Sequence, residues 1–146
     1  MRRIILGSDG SPEAREAEQY ALAMLQPGDD IIALHVVNTD LMHYGLIDQL
    51  ATQADKENFL AYIRTQGEEE CASRLGPFAD AAAKSGAKVA LHVRWGDPAR
   101  ELLSIASEHD AHEIVLAGSS WNTNWHEPHM EARLDRSSPC KITILP

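Results

Sequence analysis

Residues 3–8 read Arg-Ile-Ile-Leu-Gly-Ser, and Asp9-Gly10 follow at once. A short unbroken apolar run closed by a turn dipeptide is the pattern of a strand buried on both faces. Ser11-Pro12-Glu13-Ala14 then reads as a helix start, with a capping hydroxyl, proline at the first helical position and acid in the first turn. Ala14, Ala17, Ala21, Met24 and Leu25 recur at helical spacing until Pro27-Gly28 stops the helix. The same alternation runs on through the chain. Asp30–Val37 (DIIALHVV), Ala87–Val93 (AKVALHV), Glu113–Ala117 (EIVLA) and Lys141–Leu145 (KITIL) are four more strands. Asp97, as cap, and Pro98 open a helix whose buried stripe is Leu102, Leu103 and Ala106. The longest helical stretch runs from about Gln53 to Lys84, with a break expected at Gly76-Pro77. Ahead of it, residues 40–50 (DLMHYGLIDQL) read as an irregular excursion with a short helix. Strands alternating with helices imply an α/β sandwich: a parallel five-stranded sheet with helices on both faces.

Composition sets limits on function. The 146 residues suit one domain, covering 1–146. With 13 basic and 22 acidic residues the formal charge is −9. So acidic a chain argues against nucleic-acid binding, which needs clustered Lys and Arg. Hydrophobic residues at 44% and charged residues at 24% are ordinary for a folded globular chain. No apolar run is long enough to span a membrane. The opening Met1-Arg2-Arg3 followed by Ile4–Gly7 is too short for a signal-peptide core. Cys71 and Cys140 form no CxxC pair and no metal spacing, so the reading is free thiols in a reducing cytoplasm.

Ligands of such sheets sit beyond the carboxyl ends of the strands. Those ends are Ser8-Asp9-Gly10, Val37-Asn38, Arg94-Trp95-Gly96 and Gly118-Ser119-Ser120. Asp9 has two readings there: a ligand contact, or a turn former whose carboxylate accepts neighbouring backbone N–H groups. Gly118, Ser119 and Ser120 are small enough to receive one anion at a helix start. The cluster His126-Glu127-Pro128-His129 lacks the spacing of a helical two-histidine metal site, and surface or interface packing is the expectation. Trp121 and Trp125, four apart, would share one helical face as core, interface or lid. No nucleophile–base arrangement, carboxylate pair or phosphate-binding Walker loop is visible, so no catalytic residue is assigned.

The quoted segments together resemble the universal stress protein family. ILGSDGSPEAREAEQYALAML at the start resembles its first strand and helix. LHVV at 34–37 resembles its second strand, and residues 93–120 resemble its third strand end, Gly-Asp turn, helix and fourth strand. SSPCKITIL resembles its closing strand, with Lys141 where that family places a second proline. The resemblance implies strand order 3-2-1-4-5 and a homodimer joined through the last strand. Lys141, Ile142, Thr143, Ile144 and Leu145 would then be an apolar edge inviting pairing.

Nucleotide-binding members of that family carry Gly-x-x-Gly, nine residues, then Gly-Ser or Gly-Thr after the fourth strand. Backbone N–H groups must approach the phosphates closely there, and side chains block them. Here Trp121 and Asn124 stand at the glycine pair, Leu134-Asp135 stands at Gly-Ser, and no glycine follows Gly118. The chain therefore resembles the branch typified by universal stress protein A, which lacks the ATP motif. Residues 40–48, running from one aspartate to another, resemble that branch as well. The expectation is a cytoplasmic, non-catalytic stress-response homodimer without cofactor, acting through a protein partner still to be identified. The alternative is an adenine-nucleotide module gripping ATP or a relative through Asp9, Val37, Gly118 and Ser119. A third reading, a hydrolase or transferase acting on such a nucleotide, requires turnover that depends on Asp9.

Overall fold

In the computed structural model, residues 2–37, 53–117, Leu134 and 138–145 are described. The strands are β1 (Arg3–Gly7), β2 (Asp30–Val37), β3 (Lys88–Trp95), β4 (Glu113–Ala117) and β5 (Lys141–Leu145). The helices are α1 (Arg15–Met24), α2 (Gln53–Lys84) and α3 (Pro98–Glu108), with a short 3-10 turn at Pro12–Ala14 ahead of α1. The sheet order is β3-β2-β1-β4-β5 and every pairing is parallel. This matches the order expected from the sequence.

β1 lies at the centre and its residues Ile4, Ile5 and Leu6 are buried. Alternate side chains feed two separate cores. Ile4 and Leu6 pack with Ile31, Ala33 and Val115 beneath Ala17 and Ala21 of α1 and Leu75 and Phe78 of α2. Ile5 packs with Leu34, Val36, Ile114 and Leu116 beneath Leu102 and Ile105 of α3, joined by Leu134. Each large aliphatic side chain taken fully out of water contributes about 1.5–3 kcal/mol.

Local chemistry fixes the turns. Asp97 caps α3 by accepting the Arg100 N–H at 3.1 Å, with Pro98 inside the first turn. Asp29 ties the turn after α1 to the start of β1, accepting the Arg2 and Gln26 N–H groups at 3.0 Å each. Those two backbone N–H groups hold its carboxyl below the usual range. Ser11, expected as a side-chain cap, makes no such bond; its carbonyl instead closes the 3-10 turn by accepting the Ala14 N–H at 3.1 Å.

The expected break at Gly76-Pro77 does not occur. α2 runs unbroken through Pro77. Pro77 is exposed, whereas Leu75 and Phe78 beside it are buried, so apolar packing on the inner face holds the helix together across the missing hydrogen bond. β3 also begins one residue later than expected and extends to Trp95, and β1 ends at Gly7 rather than residue 8. The described residues contain no helix long and apolar enough to cross a membrane.

Two glycines separate helix propensity from backbone necessity. A Cβ on Gly76 would meet nothing within 4 Å, so Gly76→Ala should raise stability by about 0.5–1 kcal/mol. Gly10 has φ +72°, and a Cβ there would collide with the Cβ and backbone of Arg74. Gly10→Ala should cost at least as much as the other variant gains, and urea unfolding of both variants checks the opposite signs.

Candidate functional site

The carboxyl ends of β1 and β2 bring a polar cluster together under α2. Ser8 prolongs the β1–β2 ladder, its N–H donating to the Leu34 carbonyl at 3.0 Å. The Ser8 hydroxyl accepts the Gly10 N–H, and Asp9 Oδ1 accepts the Ser11 N–H, both at 3.0 Å. Asp9 is only 4% exposed. The bond from the Ser11 N–H is that of a turn-forming aspartate. The other sequence-stated position in this region, Val37, closes β2, and its carbonyl accepts the Gly96 N–H at 3.0 Å. Gly118 and Ser119 lie outside the described residues, as do His126, His129, Trp121 and Trp125. The structure thus brings together Asp9 and the ends of β2 and β3.

Three charged groups in the cluster were not singled out from sequence. Glu18 on α1 is pushed up by burial; Arg15 pulls it back, Asp9 raises it further, and the Ser8 hydroxyl lowers it. Glu70 and Arg74 of α2 reach the same neighbourhood, where both influence His35. His35 is 7% exposed, and its Nδ1 has no hydrogen-bond partner. Burial holds its pKa below the usual value, against the pull of Asp9 and Glu70 and with the help of Arg74. One signal in the sequence could have flagged it: a lone polar residue inside the buried run of β2. Trp95, at the end of β3, buries an unpartnered Nε1 against Gly67, where a Cβ would come within 3.4 Å.

The electrostatics of this region have a clear sign. Among the described residues, Asp9, Glu18 and Glu70 outnumber Arg15 and Arg74 around the β1 and β2 ends. Among the described residues there is no group of three or more His, Cys, Asp or Glu side chains able to hold a metal ion. Cys71 is buried and burial raises its thiol; Cys140 is half-buried and raised mainly by burial as well. Neither is an activated nucleophile.

At the other end of the sheet order, Lys141–Leu145 pair with β4 alone among the described residues. Thr143 Oγ1 donates to Glu113 Oε2 at 2.8 Å, and Lys141 Nζ lies 3.9 Å from Glu113 Oε1. Ile142 and Ile144 point into the α3-side core.

Residues 1–124 match the model of the universal stress protein family. No curated protein matches the chain in sequence. Among solved structures, the hypothetical protein MJ0577, whose biochemical function was assigned from its structure, has TM-score 0.79 at 16% identity, covering 99% of this chain and 94% of its own. Universal stress protein UspA from Lactobacillus plantarum has TM-score 0.75 at 17% identity, covering 99% and 97%. The universal stress protein from Archaeoglobus fulgidus in complex with dAMP has TM-score 0.60 at 14% identity, covering 100% and 98%. At these identities the likeness is one of fold.

The buried imidazole predicts a pH dependence of stability. His35 binds its proton less readily folded than unfolded, where its pKa is near 6.5. Its contribution is intact above pH 6.5 and declines as pH falls below that value, because the unfolded chain takes up the proton first. The slope from this one group is at most about 1.4 kcal/mol per pH unit. Denaturation midpoints between pH 7.5 and 5.5 should show the decline, and His35→Leu should flatten it.

Proposed function

The chain belongs to the universal stress protein family, and from that premise we propose that it is a non-catalytic stress-response protein. In this reading it is a homodimer joined through β5, takes no ATP, and works in the cytoplasm through a protein partner. The observation that carries the reading is the segment after β4: no glycine follows Gly118, and bulky or acidic residues occupy the positions where phosphate-binding backbone would be bare. The acidic balance around Asp9, Glu18 and Glu70 supports it. The β5 edge supports dimerisation, because a two-fold pairing would join two sheets and cover a strand edge that is unpaired among the described residues.

A second reading keeps the nucleotide. The Archaeoglobus fulgidus structure of the same fold holds dAMP. A nucleotide here would use Asp9 and Val37 toward its base and Gly118 and Ser119 toward its phosphate. Asp9 sits at the end of the central strand, as that reading needs.

Two measurements decide between them. Protein purified and then denatured should release no adenine nucleotide, and calorimetric titration with millimolar ATP and magnesium should give no heat. Micromolar ATP binding, lost in Asp9→Ala, would establish the second reading instead. Light scattering should give twice the monomer mass, and a monomer at micromolar concentration would refute the β5 dimer.

A further inference from the structure

A cavity of about 410 Å³ lies between α2 and β3, within the size range of small-molecule sites. β3 ends the sheet order, and among the described residues only β2 pairs with it. Alternate side chains of β3 turn toward α2, and Val89, Leu91 and Val93 pack against the core there. Leu91 and Val93 stay half-buried beneath the helix. They form the floor of the cavity, with Trp95 at the end of the strand and Cys71 and Ala72 on α2. Trp95 Nε1 is buried beside Gly67, so the indole donor does not open into the cavity. The Cys71 thiol is engaged as well, donating to the His92 carbonyl at 3.9 Å. What these side chains leave open to a ligand is hydrocarbon.

The lining carries a single carboxylate and no Lys or Arg. That carboxylate is Glu68, on an exposed position of α2. Arg64, one helical turn earlier, lies outside the lining, and among the described residues the two form no ion pair. Arg74 packs against Gly10 in the turn after β1. Arg94 is held by Glu101 and Glu108 of α3, on the other face of the sheet. Glu69 and Glu70 follow Glu68 and add to the negative charge of this stretch. His92 also lines the cavity, but its ring meets His109 after α3. Burial, His109 and Arg94 hold that imidazole below its usual pKa, so it is neutral near pH 7. An apolar floor with one carboxylate beside it, and no cation among its walls, selects a positive charge carried on hydrocarbon.

We propose that this cavity is a binding site for a small organic cation, a primary ammonium carried on a short hydrocarbon chain. The ammonium meets Glu68, and the chain lies along Leu91, Val93 and Trp95. The cavity is at the outer edge of the sheet, and its occupancy does not depend on whether a nucleotide binds near Asp9.

Hexylammonium is the probe, titrated into isotope-labelled full-length protein and followed by two-dimensional NMR. The expected result is a saturable shift centred on the amides of Ala72, Leu91 and Val93 and the indole N–H of Trp95, with a dissociation constant below about 1 mM. Glu68→Gln should weaken binding about threefold or more. Asp80→Asn removes the same charge from an exposed position about three turns further along α2, and should leave the affinity unchanged. Ala72→Arg, also at an exposed position, puts a cation in the cavity wall and should abolish binding. Hexanoate, of the opposite charge, should not bind. The proposal is overturned by failure to saturate at about 5 mM, by shifts centred elsewhere, or by hexanoate binding as tightly. It is equally overturned if Asp80→Asn weakens binding as much as Glu68→Gln, which would mark attraction to the acidic chain as a whole. Shifts at the same residues that grow with protein concentration alone would place a second copy of the chain in the cavity and overturn it too.

Discussion

Everything in this molecule is arranged around a strand of five residues that has helices above and below it. From Ile4 on, β1 has no solvent-facing side. Its side chains must be apolar on both faces, and its backbone must be paired on both edges. β2 and β4 supply those edges in parallel register, and parallel pairing forces each connection to cross back over the sheet. The crossovers are α1, α2 and α3, and the two cores are their undersides meeting the alternate residues of β1.

The same constraint places the chemistry. A strand buried on both faces can carry polar groups only where it ends, so Ser8 and Asp9 come directly after Gly7. Both meet neighbouring backbone N–H groups and are satisfied. His35 breaks the rule within β2, with a ring nitrogen that finds no partner. Such a group costs about 1–3 kcal/mol, and proteins keep few of them. It sits one row from Asp9, where chemistry is expected to override packing.

The fold was largely readable because its signals are local. Asp97-Pro98 announces a capped helix, and DIIALHVV has no reading but a buried strand or a short core helix. Pro77 misled for the converse reason. Its cost is local, but Leu75 and Phe78 bury themselves against a sheet formed by distant parts of the chain. The candidate site was half readable: Asp9 follows the end of β1 and Val37 closes β2, whereas Glu18, Glu70 and Arg74 join them only through helix packing. Arg3, Asp30 and Lys88 are far apart in the chain and become a row only once register is known.

The length of α2 sets up an unequal molecule. Gly67 lies against Val37 and Trp95, the last residues of β2 and β3, so residues 53–66 run on past the ends of both strands. Glu57, Ala61, Tyr62, Arg64, Thr65 and Gln66 are all exposed, whereas Cys71, Leu75, Phe78 and Ala82 are buried. At about 1.5 Å per residue the leading segment is about 20 Å long. Among the described residues its amides are guarded by little more than the helix itself, whereas those after Gly67 open only when the core opens. A single helix therefore spans two regimes of solvent exchange, fast and local in its first four turns, slow and global in its last five.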